Sequence, residues 1–332
     1  MSAIGIVVIN SGTPDELNED AIRKFLACML SDPALISCPP IIWKRVLKYF
    51  ILPNRPKRTI KNYARMWDEN GSQFMNISHR QAAALQAELQ RRGFNGGRFE
   101  VRLAMRYSSP SITSQVQAFK QAGCGTIIGL PLYPQYVNVC AGTCLKELDR
   151  CVDEQRDVSW DPRVVQIRQF YDEEPYQEAL AASVARRWSY TPGSKLCVSL
   201  HSTLMADIKA GDPYHEQNLA TTADLAARLG VPAEDVQLSY QSRFDSRSWL
   251  QPFTANVLEQ WAQQGVKDVC VVCPGFTAEN IESKIEAGEQ LRDGFLAQAG
   301  EGARYTYIPT LDDDPGLISA LANAVEATGA GA

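Results

Sequence analysis

The run Val269-Cys270-Val271-Val272-Cys273-Pro274-Gly275-Phe276 decides the fold class. It is apolar at consecutive positions and ends in a Pro-Gly turn, as a strand covered on both faces of a parallel sheet does. Just beyond it stand Glu279, Glu282, Glu286 and Glu289, spaced 3, 4 and 3 apart. On an α-helix that spacing puts all four on one stripe, at a cost of roughly 0.2–0.5 kcal/mol per like-charged pair. A solvated face would bear that cost without any function, so the location matters more than the charge. A helix that starts past the carboxyl end of a parallel strand opens onto the crevice where open α/β sheets bind ligands. One of only three histidines, His201, follows another such run, Leu196-Cys197-Val198-Ser199-Leu200. An imidazole and carboxylates on neighbouring strand ends would make a site for a divalent metal ion.

Working outward, apolar, β-branched runs recur at Gly5–Asn10, Phe99–Met105, Thr126–Leu132, Val164–Ile167, Val236–Tyr240 and Tyr305–Ile308. Between them lie amphipathic helical patterns: Ile77–Arg92, Ile112–Ala122, Tyr176–Trp188, Leu219–Leu229 and Val257–Gln264. Alternation of strand and helix argues for parallel sheets in an α/β fold. A faint internal repeat divides the chain. Val101–Tyr107, a helix ending Gln121-Ala122-Gly123 and a strand leading to Pro131 match Val236–Phe244, a helix ending Gln263-Gln264-Gly265 and a strand leading to Pro274. Each copy has an arginine just past its first strand, Arg106 and Arg243. The expectation is two doubly wound parallel-sheet domains facing one cleft, residues 1–160 and 161–312. The boundary falls near Asp157–Gln166, and a last helix within 313–332 could pack back on the first domain.

A chain of 332 residues suits two domains, and a net charge of −5 gives no reason to expect nucleic acid as a partner. No apolar run reaches the roughly 18 residues of a membrane span. The first strand begins almost at the amino terminus, which leaves no room for a signal peptide and points to the cytoplasm. Nine cysteines in a reducing compartment read as free thiols. The glycines of Gly123-Cys124-Gly125-Thr126-Ile127-Ile128-Gly129 enter a strand rather than leave one, so they are not a dinucleotide-binding turn.

A longer set of segments carries a resemblance. They are Asn10-Ser11-Gly12-Thr13-Pro14, Leu30-Ser31-Asp32-Pro33, Ile51-Leu52-Pro53 with Arg55-Pro56-Lys57-Arg58, and Gly71-Ser72. Met105-Arg106-Tyr107-Ser108-Ser109-Pro110-Ser111, Leu130-Pro131-Leu132-Tyr133-Pro134-Gln135-Tyr136 and Gly211-Asp212-Pro213-Tyr214 follow. The carboxyl half adds Gln241-Ser242-Arg243-Phe244, Trp249-Leu250, and Cys273-Pro274-Gly275-Phe276 with Glu282. Each is short, but all of them in this order make a chain that resembles the ferrochelatase family, which inserts ferrous iron into a porphyrin at or near the end of haem synthesis.

The resemblance implies two flavodoxin-like or Rossmann-like domains around a porphyrin cleft. It implies His201 and Glu282 as the metal-site pair, with Glu286 further along the helix face as a proton or metal relay. Fe²⁺ and a porphyrin, protoporphyrin IX or coproporphyrin III, are then the substrates, and no organic cofactor is expected. Imidazole and carboxylate suit a borderline divalent ion, and a histidine near pKa 6.5 serves as ligand or proton acceptor. Tyr107, Tyr136, Trp249 and Phe276 are candidate walls for the macrocycle. Arg106 and the cluster Arg55, Lys57 and Arg58 are candidate grips for propionates, Arg through its bidentate fork. The apolar stretch Leu35–Leu52 reads as a buried helix; in the family the corresponding region is a hydrophobic lip, which could also touch a membrane surface peripherally. Cys140, Cys144 and Cys151 share a helical stripe, but the [2Fe–2S] clusters associated with the family use cysteines near the carboxyl terminus. No cysteine follows Cys273, so no cluster is expected.

Several positions depart from the family pattern: Val137 after Tyr136, Ser202-Thr203-Leu204 after His201, and Ser283-Lys284 beyond Glu282. They put rate and substrate preference in question more than fold. A related cobalt or nickel chelatase and a non-catalytic porphyrin or haem carrier are the alternatives.

Overall fold

Eight strands form two separate four-stranded sheets, parallel throughout. The computed structural model describes residues 3–36, 38–243 and 246–331. Phe244, the last residue of one family-like segment, lies outside the described residues. The strands are β1 (Ala3–Asn10), β2 (Phe99–Met105), β3 (Cys124–Pro131), β4 (Arg163–Gln166), β5 (Lys195–His201), β6 (Val236–Gln241), β7 (Asp268–Val272) and β8 (Arg304–Ile308). Each coincides with an apolar run picked out in the sequence.

The first sheet has the order β2-β1-β3-β4 and the second β6-β5-β7-β8. Both are second, first, third, fourth strand, the doubly wound order of the flavodoxin type. The repeat seen in the sequence is therefore the same piece of each sheet: the second strand, its crossover helix and the third strand. In this order the chain reverses direction across the sheet between the first and third strands, and the crevice at their carboxyl ends is the usual ligand position.

Packing explains why these residues form these elements. Every residue of β1 from Ile4 to Asn10 is buried, as a central strand covered on both faces requires. Helices Ile112–Gln121 and Thr143–Gln155 pack down where the strands carry glycine. A Cβ on Gly5 would lie 2.5 Å from the Phe119 ring, and one on Gly129 would lie 2.5 Å from Leu148. In the second sheet Cys197, Val269 and Val271 are fully buried against Val257, Leu258, Trp261 and Phe295.

The chain divides into two compact units, one of Met1–Leu132, Asn138–Arg168 and Leu321–Ala332, the other of Tyr133–Val137 and Gln169–Ala320. Arg92 of the first unit donates to Asn323 and pairs with Glu326 at 2.8 Å, which anchors the end of the chain.

The stretch 35–52 is not one buried helix. It forms an α-helix, Pro40–Val46, continued by a π-helical turn, Leu47–Ile51. Leu47 and Trp43 face inward against a cluster containing Phe25 and Leu26, and the Trp43 ring N–H donates to the Leu30 carbonyl at 2.6 Å. Ile41, Ile42, Tyr49 and Phe50 point out, between 56% and 74% exposed. Too many apolar residues occupy too short a helix for one face to bury them all.

Candidate functional site

The site is built at the carboxyl ends of β5 and β7, the first and third strands of the second sheet. His201 is the last residue of β5 and is half-buried. Its Nδ1 lies 2.7 Å from the Ser202 carbonyl. A carbonyl only accepts, so Nδ1 carries a proton, and in the neutral imidazole Nε2 is the nitrogen with the free lone pair. The Tyr214 hydroxyl donates to the His201 carbonyl at 3.1 Å and holds the strand end from the other side. The loop that follows is stitched down as well. Ser202 donates its N–H to Gln241 (2.8 Å) and its hydroxyl to Leu250 (2.9 Å), and Leu250 N–H donates to the Thr203 carbonyl (2.8 Å). This brings the segment carrying Trp249 beside the His201 loop.

From β7 the chain passes through Cys273-Pro274-Gly275-Phe276 to Asn280. Asn280 caps the next helix: its side chain accepts from Ser283 N–H, and the Ser283 hydroxyl accepts from Asn280 N–H, both at 2.9 Å. The helix Ile281–Leu291 is a π-helix along its whole length, not the α-helix expected from the acidic spacing. With i→i+5 hydrogen bonding, residues four or five apart share a face and residues seven apart do not. Glu282 and Glu286 therefore stay together, whereas Glu289 turns away. Within this helix Ile285 is buried, and Ile281 and Leu291 are half-buried.

Glu279 precedes the helix and is not a solvated acid. It accepts from the Ser283 hydroxyl (2.7 Å), the Tyr307 hydroxyl (3.0 Å) and Thr310 N–H (3.0 Å). Burial raises its pKa, and those three bonds oppose the rise. Glu286 is clamped by Ser242, which donates its N–H at 3.1 Å and its hydroxyl to the two carboxylate oxygens. Ser242 does so from a left-handed backbone, φ 64°, an uncommon state for a residue with a Cβ. Burial raises the Glu286 pKa; the Ser242 hydroxyl opposes this, the neighbouring Glu282 adds to it and His201 opposes it. Gln241, which pairs with His201 in the sheet, and the adjoining Ser242 thus bond the turn of helix that carries Glu282 and Glu286. Among the described residues, no group of three or more His, Cys, Asp or Glu side chains gathers closely enough to cage a metal ion.

The remaining predicted residues are distributed differently. Tyr136 and Phe276 are half-buried in the second unit, and Tyr136 N–H donates to Gln217 at 2.7 Å. Trp249 is 8% exposed, with the Arg247 guanidinium 5.8 Å from its ring centre. Arg106 and Tyr107 belong to the first unit and are engaged there. Arg106 pairs with Asp32 at 2.8 Å, and the buried Tyr107 hydroxyl donates to the same carboxylate at 2.8 Å. Arg55 is half-buried, while Lys57 and Arg58 are exposed. Of the departures, Val137 and Thr203 are buried, and Lys284 is half-buried in the π-helix. Cys144 and Cys151 are buried, and all nine cysteines are free thiols. Sequence reasoning missed the clamp by Ser242 and the hold of Tyr214, because neither a positive φ at serine nor a bond to a backbone carbonyl leaves a periodic signal.

Comparison with known proteins follows the same line. The ferrochelatase family model matches residues 3–328. The ferrochelatase of Bordetella pertussis is 38% identical over 324 residues, covering 97% of this chain and 87% of that protein. The ferrochelatase of Nitrosococcus oceani is 37% identical over 327 residues, covering 98% and 87%. Among solved structures, SirB from Bacillus subtilis with Fe³⁺ superposes with a TM-score of 0.54 at 13% identity, covering 99% of this chain and 96% of that one. The sirohydrochlorin chelatase SirB from Bacillus subtilis subspecies spizizenii, in complex with cobalt, gives 0.55 at 11% identity, covering 98% and 95%. At that identity the structural likeness speaks for the fold.

Proposed function

The chain belongs to the ferrochelatase family, and we propose that it inserts Fe²⁺ into a porphyrin through His201, Glu282 and Glu286. The reaction is a metal insertion of haem biosynthesis, a lyase activity with ferrous iron and porphyrin as substrates. It requires a loosely held metal, removal of two pyrrole N–H protons and a wall that orients the macrocycle. The reading rests on one observation: Gln241, the register partner of His201, and the next residue, Ser242, bond the Glu282 carbonyl and the Glu286 carboxylate, which brings His201 and the two glutamates to one place.

In this reading His201 Nε2 and the Glu282 carboxylate receive the iron or a pyrrole proton. Glu286, whose affinity for a proton is raised by burial, takes protons onward along the helix face. Two oxygen and nitrogen donors hold a borderline ion without the permanence of a thiolate cluster. Tyr136, Trp249 and Phe276 are the proposed walls. We assign Arg106 and Tyr107 to propionate and ring contacts only in a state where Asp32 releases them. The exposed face of Ile41, Ile42, Tyr49 and Phe50 is proposed to meet a membrane surface peripherally. No helix among the described residues is long and apolar enough to cross a membrane.

The test is anaerobic addition of Fe²⁺ to protoporphyrin IX and, separately, coproporphyrin III, following loss of the free-porphyrin absorbance, with Co²⁺ and Ni²⁺ run in parallel. Wild type is expected to metallate at least one porphyrin with Fe²⁺. His201→Ala and Glu282→Ala are expected to lose at least about 10- to 100-fold in kcat/KM. If both variants are fully active, the site assignment is wrong. If wild type binds porphyrin without metallating it, the chain is a carrier.

A further inference from the structure

A buried amide stands between the two proposed iron-handling residues. Gln241, 3% exposed, ends β6 and pairs directly with His201 in the sheet register. Its carbonyl accepts the N–H of Ser202, so its backbone fixes the strand end that carries His201. Its side chain reaches the other way, donating from Nε2 to the Glu282 carbonyl at 3.0 Å in the first turn of the π-helix.

The orientation of that amide follows from its neighbours. A carbonyl only accepts, so Nε2 must face Glu282 and Oε1 must face Ser199, two residues before His201. The Ser199 hydroxyl then donates to Oε1 at 2.7 Å. Having given its hydrogen, Ser199 accepts from Thr254 (2.7 Å), Thr254 accepts from Ser239 (2.9 Å), and Ser239 accepts from the Cys197 thiol (3.1 Å). Every member of the chain points its hydrogen the same way, an arrangement in which each bond strengthens the next. The Cys197 thiol at the far end stays protonated, since burial pushes its pKa up to about 12. Cys197, Ser199 and Ser239 are fully buried and Thr254 is 1% exposed. The chain therefore ends in the core with no route to water. It can orient Gln241, but it cannot carry pyrrole protons away.

We propose that Gln241 is a positioning residue for iron: its backbone and its amide together set the separation of His201 and Glu282. The proposal rests on the assignment of those two as the iron-handling pair. The amide adds a tie from the sheet to a first turn that Asn280 otherwise caps only from within its own segment. Loss of the tie lets the Glu282 carboxylate wander relative to His201, which weakens capture of the metal and leaves the macrocycle walls in place.

Gln241→Met keeps the side-chain length and removes the amide's bonds to Glu282, to Ser199 and to the Cys273 thiol, which lies 3.9 Å from Oε1. Ser199→Ala breaks the buried chain but leaves the amide on Glu282. With steady-state insertion followed by absorbance, Gln241→Met is expected to raise KM for Fe²⁺ by about 10- to 100-fold with KM for porphyrin unchanged. Ser199→Ala is expected to lower Tm and leave KM for Fe²⁺ at the wild-type value. If Gln241→Met does not fold, Gln241→Leu, which likewise leaves the Glu282 carbonyl without this donor, carries the same expectation. A wild-type KM for Fe²⁺ in the Gln241 variant, or equal changes in both KM values alongside a fall in Tm, would overturn the proposal. His201→Ala and Glu282→Ala are measured beside it. If those two also keep a wild-type KM for Fe²⁺, the site assignment fails; if they shift and Gln241→Met does not, only the positioning role fails.

Discussion

The Asp32 carboxylate takes the Arg106 guanidinium and the Tyr107 hydroxyl on one oxygen, each at 2.8 Å, and the Ala34 N–H on the other at 2.9 Å. Glu147 stands farther off, 3.9 Å from the same guanidinium. The Asp32 side chain is 5% exposed and that of Arg106 17%, so the pair is largely out of water. Breaking such a pair leaves a buried charge without its partner. Asp32→Ala is expected to cost about 3–5 kcal/mol in urea unfolding, against about 1 kcal/mol for Tyr107→Phe, which loses one hydrogen bond. A loss below about 1 kcal/mol in Asp32→Ala would mean that the pair behaves as an exposed one. The segment Met105-Arg106-Tyr107 was legible as a family-like motif, but its partner Asp32 stands 74 residues earlier. Pairings of that range leave no periodic trace. His201 was legible for the opposite reason, because a rare residue type at the end of an apolar run needs no partner to be noticed.

At the scale of the element, the helix Ile281–Leu291 shows what spacing alone can and cannot carry. A 3, 4, 3 acidic pattern announces a helix but does not say which one, since α and π turns differ by a single residue in the hydrogen-bond ring. What holds this helix is tertiary. Gly288 lies against the Tyr307 ring, where a Cβ would come within 3.1 Å, and the Tyr307 hydroxyl is tied to Glu279. The ring has little freedom to retreat, so Gly288→Ala is expected to destabilise by about 1–3 kcal/mol, measured as a shift in denaturant midpoint. Glu279 also gives this element a pH dependence. Its folded pKa is raised above the unfolded value by burial, so the folded state binds the proton more tightly. That contribution is fully present below the ordinary glutamate pKa of about 4.3 and is lost as pH rises through the raised value. In Glu279→Gln the fall of Tm with rising pH above about 4.3 should be shallower than in wild type. An unchanged slope would show that its hydrogen bonds cancel the effect of burial.

For the molecule as a whole, the two sheets share one strand order, and the chain's repeat already pointed to that. The distribution of charge is the less obvious property. Residues 33–67 hold eight Lys and Arg and no Asp or Glu, while the net charge of the whole chain is −5, so the remainder carries −13. The totals hide this because the two signs nearly cancel. Within that basic segment stand the outward-facing Ile41, Ile42, Tyr49 and Phe50, with Lys44, Arg45 and Lys48 among them. Apolar side chains ringed by cations are what an interfacial segment presents to anionic headgroups. Each cation near such a surface is worth about 1 kcal/mol, so replacing Lys44, Arg45 and Lys48 by Ala should weaken binding to phosphatidylserine-containing vesicles about 100-fold. Cosedimentation at low salt should detect the wild-type binding, and raising the salt to about 1 M, where the Debye length falls to about 3 Å, should remove most of it. Phe50→Ala should weaken binding at every salt concentration, because its share is apolar and unscreened. If wild type ignores anionic vesicles at low salt, the exposed apolar face does not meet an anionic membrane surface.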